Sequence, residues 1–286
     1  MPGSSPASGP RPVSGRRPTS GSRPAPLALV LAGLLVLALV LGGAAGVRWL
    51  RHDAAEPAAA PPVRNVTAGW NGPRVAVIQQ VVGTWRTGHE ATMDQPTIDA
   101  VTQWQKDHSL PATGVVDEAT WTAMDTGRPW TIDEWTAPSR VPADASREER
   151  IDAMIAFATE QEGSPYLWGG AGPPDLGFDC SGLALQAMRA GGLDPGIDAV
   201  KHASPGWLTT HYLLEDPRFT HVPRSELERG DWVFYADEQG ELRHMALYLG
   251  DGTMVDSYGS GVHVRTYREK IGTKRFAMDT LVRPFP

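Results

Sequence analysis

Between residues 70 and 128 apolar positions recur at helical spacing. Val75, Ile78 and Val82 lie about one turn apart and predict a helix from about Pro73. Ile98, Val101 and Trp104 or Gln105 mark one face of a second helix beginning near Asp94. Trp121 and Met124 belong to a third, beginning near Asp117. Residues 93–101 echo residues 116–124, each an apolar residue, Asp, an amide or acid, then Thr, Ala and an apolar residue at matching places. In both copies the Asp can cap a helix by accepting a backbone N–H. The pattern predicts a small three-helix domain over 70–128.

The pattern changes further on. Ser146 with Glu149 forms a capping-box signature, and Ile151, Met154, Ile155 and Ala158 mark the buried face of the helix that follows. That helix stops near Gly163-Ser164-Pro165. From Cys180, residues 183, 184, 187 and 188 are apolar at helical spacing, and Gly191-Gly192 ends the run. Residues 244–249 alternate instead: His244, Ala246 and Tyr248 share one face of a strand, and Met245, Leu247 and Leu249 the other. Gly250-Asp251-Gly252 turns the chain, and residues 253–257 return as a second strand. A two-residue turn would pair Leu247 with Asp256 and bury a carboxylate among apolar side chains. A three-residue loop pairs Leu249 with Thr253 and Ala246 with Asp256, and puts Asp256 on the face of His244. The second register buries fewer charges and is the expected one.

The remaining stretches lack a period. Residues 1–26 are Pro, Ser, Gly and Arg, too polar to offset the entropy of ordering, and are expected to be disordered and cytoplasmic. Residues 27–47 carry no charge, and at about 1.5 Å per residue they can cross a ~30 Å hydrocarbon layer. The arginines before them set the N-terminus inside and the rest outside, as a single-pass anchor; a cleaved signal peptide is the alternative. Residues 48–69 and 129–145 read as a tether and a linker, with ordered sequence starting near Pro73 and a third ordered region over 146–286. The net charge of −7 is mild and points to no nucleic-acid partner.

The chain has one cysteine, so no internal disulfide can form. Exported proteins rarely keep a lone thiol without use for it, although a small inert core residue is the plain alternative. Cys180 falls in the first turn of its helix, where unpaired N–H groups and the helix dipole favour a thiolate. A thiolate that does chemistry needs a base and an orienting group in reach. His244 is the histidine that opens a strand, and Asp256 is expected to accept its hydrogen bond. No His/Cys spacing of zinc type and no phosphate-cradling Gly loop occurs, so no metal and no cofactor are expected.

Two resemblances follow from these residues. Val77-Ile78-Gln79, Ala100-Val101 with Trp104-Gln105, and residues 110–117 with Thr120-Trp121 resemble the type 1 peptidoglycan-binding domain, which implies a wall-binding role for 70–128. The match departs at residues 90–93, where that family has a Gly-containing turn. Tyr166-x-Trp168-Gly169-Gly170, Asp179-Cys180-Ser181-Gly182-Leu183, Gly230-Asp231-Trp232-Val233-Phe234 and residues 244–252 resemble the NlpC/P60 family of papain-like cysteine peptidases over about 147–286. The resemblance implies an α+β fold, helices packed on an antiparallel sheet, after the three-helix domain and the membrane helix. It implies that Cys180 is the nucleophile, His244 the base and Asp256 the orienting third residue, a place where the family more often has His. It puts Tyr166 by the oxyanion and Trp168 in the groove wall. Asp179 and Ser181 would hold a polar end of the substrate or, equally, cap the helix. The implied substrate is the peptidoglycan stem peptide, cut between γ-D-glutamate and the diamino acid. An amidase or acyltransferase on the same thiol–imidazole scaffold, and a non-enzymatic wall-binding scaffold, are the alternatives. Partners among division or wall-synthesis proteins are not readable.

Overall fold

Three helices form where the spacing puts them: α1 (Pro73–Val82), α2 (Gln95–Asp107) and α3 (Glu118–Ala123). The computed structural model describes residues 64–86, 91–196 and 209–286, all within one compact unit, Ala59–Pro286. The two echoing starts are alike in space. Asp94 accepts from Thr97 N at 3.0 Å and Asp117 from Thr120 N at 2.7 Å. Gln79 and Gln105, both buried, each donate to the threonine of one copy and to a nearby carbonyl.

Order begins before Pro73. Val66 is buried and pairs with Val116 across an isolated bridge, and the Arg74 guanidinium donates to the Arg64 carbonyl. The expected tether 48–69 therefore ends earlier than the sequence implied. A lone valine in polar surroundings gives no periodicity to read. The expected segments 1–26 and 27–47 lie outside the described residues, and among the described residues no helix is long and apolar enough to cross a membrane.

The stretch read as a free linker, 129–145, is bound on both sides. A 3-10 turn (Ile132–Glu134) places Asp133 against the buried Arg74 at 2.6 Å, and Arg74 also lies over the rings of Trp70 and Trp130. Trp135 meets Phe178 edge-on. Prolines without a period look like a loop in sequence, but here each turn brings an apolar or charged group to a distant partner.

The C-terminal region is a sheet covered by helices. Ser146 and Glu149 form the expected capping box on α4 (Arg147–Glu160). It is followed by α5 (Cys180–Ala190) and α6 (Thr209–Glu215). The strands are β1 (Thr220–Pro223), β2 (Trp232–Ala236), β3 (Leu242–Tyr248), β4 (Thr253–Tyr258), β5 (Gly261–Thr266), β6 (Lys270–Ile271), β7 (Arg275–Ala277) and β8 (Thr280–Arg283). All pairs are antiparallel, in the order β1-β8-β2-β3-β4-β5, with β7 also on β2 and β6 on β7. Met154, Phe157, Leu183, Ala187, Leu247 and Val255 belong to the core between helices and sheet. Gln186 of α5 is fully buried; its amide accepts from Ala137 N and donates to Trp135 O and Ala171 O, which fixes 135–137 and the loop before α5 to the same helix.

Leu167 joins the two halves. It lies in the loop between α4 and α5, yet it is buried among Val66, Trp70, Ile78, Trp121 and Ile132 of the three-helix core. Leu167→Ala is therefore expected to cost about 2–5 kcal/mol, the range for emptying a buried leucine site. Urea unfolding of the full chain checks it. A loss under about 1 kcal/mol would mean that the loop is not anchored there.

Candidate active site

Cys180 is the first residue of α5, and the chain is built to start a helix there. Asp179 has extended backbone angles and accepts from Gly182 N at 2.7 Å and from the Ser181 hydroxyl at 2.8 Å. Its other oxygen accepts from Gly169 N at 3.0 Å, and its own N–H donates to Gly170 O at 2.8 Å. Asp179 and Ser181 are both buried, and Asp179 caps the helix. Such a cap stabilises a helix by about 1 kcal/mol. Gly182 lets α5 press on the Gly170 turn: a Cβ there would lie 2.0 Å from Gly170 O. Tyr166 and Trp168, both half-buried, sit on this turn-bearing loop, and the Tyr166 backbone bridges to Phe178, two residues before the cysteine.

The imidazole comes from the sheet. His244 on β3 stands opposite Tyr235 of β2. The β3–β4 register pairs Leu247 with Val255 and Tyr248 with Met254, and Leu249 N donates to Thr253 O across a three-residue loop. This is the expected register, although Asp256 is buried in it. It brings His244 Nε2 to 2.7 Å from Asp256 Oδ2, with both side chains buried. The rings of Tyr235 and Tyr258 flank the imidazole at 5.9 and 5.3 Å.

The Cys180 thiol faces this imidazole, and with Nε2 taken by Asp256 the nitrogen left for sulfur is Nδ1. Cys180 is partly exposed. Burial alone pushes His244 toward its neutral form. Hydrogen bonds to Asp256 and Cys180, and the charges on both, outweigh burial and raise His244 from its ordinary 6.5 to about 9. A partly exposed thiol, a buried imidazole and a buried carboxylate in series can share one proton and attack an acyl carbon.

Two neighbours of this series were not found from sequence. Ser257, buried on β4, donates to Phe178 O at 2.7 Å and ties the strand of Asp256 to the segment entering α5. Arg265 on β5 brings Nε to 2.9 Å from Asp256 Oδ1. Its signal was the Gly259-Ser260 turn, which sets Asp256 opposite His263 and Met254 opposite Arg265. His263 is in range by register, but its Nε2 is paired with the Ser260 hydroxyl at 2.7 Å. His221 pairs with Leu214 O and His108 stacks on Trp104, both away from the series. Among the described residues no group of three or more His, Cys, Asp or Glu gathers as a metal set.

Residues 163–280 match the model of the NlpC/P60 family, and residues 88–124 match that of a peptidoglycan binding domain. Peptidoglycan endopeptidase RipB of Mycobacterium tuberculosis is 33% identical over 144 residues, 44% of this chain and 50% of that protein. Murein DD-endopeptidase MepH of Escherichia coli is 36% identical over 107 residues, 37% of this chain and 35% of that protein. The chain thus spans half or less of the length of these relatives. The crystal structure of a P60 domain from an M. avium subspecies paratuberculosis antigen is 27% identical, with a TM-score of 0.36 over 49% of this chain and 98% of that one. Residues 163–280, where the thiol, the imidazole and the carboxylate meet, are the part of the chain that matches the NlpC/P60 family.

Proposed function

We propose that this protein is a peptidoglycan endopeptidase that hydrolyses stem peptides with the Cys180 thiolate as nucleophile. The observation that carries the reading is the meeting of Cys180 with a His244 whose second nitrogen is held by Asp256. The names of the relatives, peptidoglycan and murein endopeptidases, support the substrate. In this reading the sulfur bonds to the carbonyl carbon of the scissile amide. His244 gives its proton to the leaving amine, and a thioester remains. A water then loses a proton to His244 as its oxygen adds to the thioester, and the thiolate leaves. The backbone N–H of Cys180, at a helix start, is the natural donor to the oxyanion. Tyr166 is assigned beside it and Trp168 to the groove wall. The bond we assign is that between γ-D-glutamate and the diamino acid.

The N-terminal parts belong to the same proposal. Residues 27–47 would anchor the chain in the membrane, with residues 64–286 outside the cell. The three-helix region would hold the wall polymer. Both devices raise the effective concentration of an insoluble substrate near Cys180.

Purified sacculi incubated with residues 64–286 test the activity. Wild type is expected to release fragments with a new diamino-acid N-terminus, and Cys180→Ala to release less than about one part in a thousand of them. Fragments opened at the D,D cross-link instead would move the assignment to the bond in the name of the MepH relative. Fragments split between sugar and peptide would make the enzyme an amidase. Intact sacculi would remove the hydrolytic reading.

The pH profile is a second expectation. The His244 proton is held more tightly in the fold than in an unfolded chain. Its contribution to stability is therefore complete below the ordinary 6.5 and is lost as pH rises through about 9. Activity that needs the imidazolium should fall on the same alkaline limb. A kcat/KM profile on a soluble muropeptide that falls already near pH 7 would contradict it.

A further inference from the structure

Asp256 has two oxygens, and each is held by a different strand. Oδ2 receives His244 from β3, and Oδ1 lies against Arg265 from β5. The Arg265 contact, at 2.9 Å, is a close charge pair set off the hydrogen-bond line, since neither Oδ1 nor Nε has an aligned partner. The environment is unequal: the Asp256 side chain is 0% exposed and that of Arg265 is 33% exposed. A fully buried carboxylate left alone tends to take up a proton, because its charge has lost water. A neutral Asp256 could still orient an imidazole, but it could not balance an imidazolium.

The other groups around this carboxylate do not supply a fixed charge. Tyr235 of β2 faces it with a phenol whose hydroxyl donates to Arg268 O and whose proton is held more tightly, first by burial, then by the nearby Tyr267 and Asp256. His263 of β5 is paired with Ser260, and Cys180 of α5 acts on it through His244. Arg275 stands over the Tyr258 ring, beside the imidazole and not on the carboxylate. Among the described residues Arg265 is the permanent cation paired with Asp256. Its guanidinium does not deprotonate at any pH the protein survives.

We propose that Arg265 is a positioning residue of this site, which holds Asp256 through Oδ1 and so keeps Oδ2 aimed at His244. The assignment rests on the thiol–imidazole chemistry proposed above. It makes the working unit four residues on four elements: Cys180, His244, Asp256 and Arg265. The plain alternative is a strand arginine whose partly exposed pair does little, as most such pairs do.

The test uses residues 64–286 and two readouts: the pH dependence of Cys180 alkylation by iodoacetamide, which needs no wall substrate, and kcat and KM on a soluble muropeptide. In Arg265→Gln the acidic limb of alkylation should move up by about one pH unit, because Asp256 loses one of its two partners and holds less firmly the imidazolium that stabilises the thiolate. On the muropeptide kcat should fall about tenfold with KM nearly unchanged. Arg265→Lys should restore most of both. In the double variant Asp256→Asn/Arg265→Gln no buried charge is left unpaired, and its profile should coincide with that of Asp256→Asn alone. A folded Arg265→Gln with the wild-type limb overturns the proposal. So does a double variant displaced beyond Asp256→Asn, which decides the matter even if the single Gln variant does not fold. A wild type that cuts no muropeptide sinks the endopeptidase reading, while the alkylation series still tells whether Arg265 acts on the site.

Discussion

The hydrogen bond between His244 and Asp256 exists in one strand register only. Side chains along a strand alternate faces, so a slip of one residue between β3 and β4 would turn Asp256 into the helix-packed core and leave His244 without its acceptor. The three-residue loop 250–252 fixes that register, and Leu249 N to Thr253 O closes it. A charge placed on the wrong face would cost several kcal/mol, far more than any local preference of the turn. Folding and chemistry are thus decided by the same constraint.

The sulfur reaches this pair because the start of α5 is bound from three directions. Asp179 joins the helix start to the Gly169-Gly170 turn, Gly182 lets the helix lie on that turn, and Ser257 links the segment entering α5 to the strand of Asp256. None of these groups needs to touch a substrate. They remove freedom from the sulfur and the imidazole before any ligand arrives, which is how a site gains precision from rigid elements. Leu167 extends the same logic outward, because the loop carrying Tyr166 and Trp168 is anchored in the core of the three-helix region. The two regions share side chains and form one compact unit.

Much of this was legible in the sequence, for physical reasons. Helix starts announce themselves through short polar caps, and Asp94, Asp117, Ser146 and Asp179 all cap as read. The period-two alternation of 244–249 and the loop length led to the observed register, although Asp256 is buried in it and is held by His244 and Arg265 instead of by solvent. What the sequence hid depends on contacts between distant segments. Val66, Ile132, Ala137 and Leu167 are buried by partners far along the chain, and single apolar residues among prolines or glycines carry no period. Arg265 was nearer to being readable, since the Gly259-Ser260 turn fixes its register, but its role appears only once Asp256 is known to have a free oxygen on that side.

The proposed chemistry depends on an interaction between Cys180 and His244, and nitrogen NMR of the His244 ring observes it directly. In wild-type residues 64–286 both ring nitrogens should stay protonated from neutral pH up to about 9, and in Cys180→Ala the titration should move to clearly lower pH as the sulfur partner is lost. A His244 that titrates at the same pH with and without the sulfur would show that the two groups do not interact, and the account would fail.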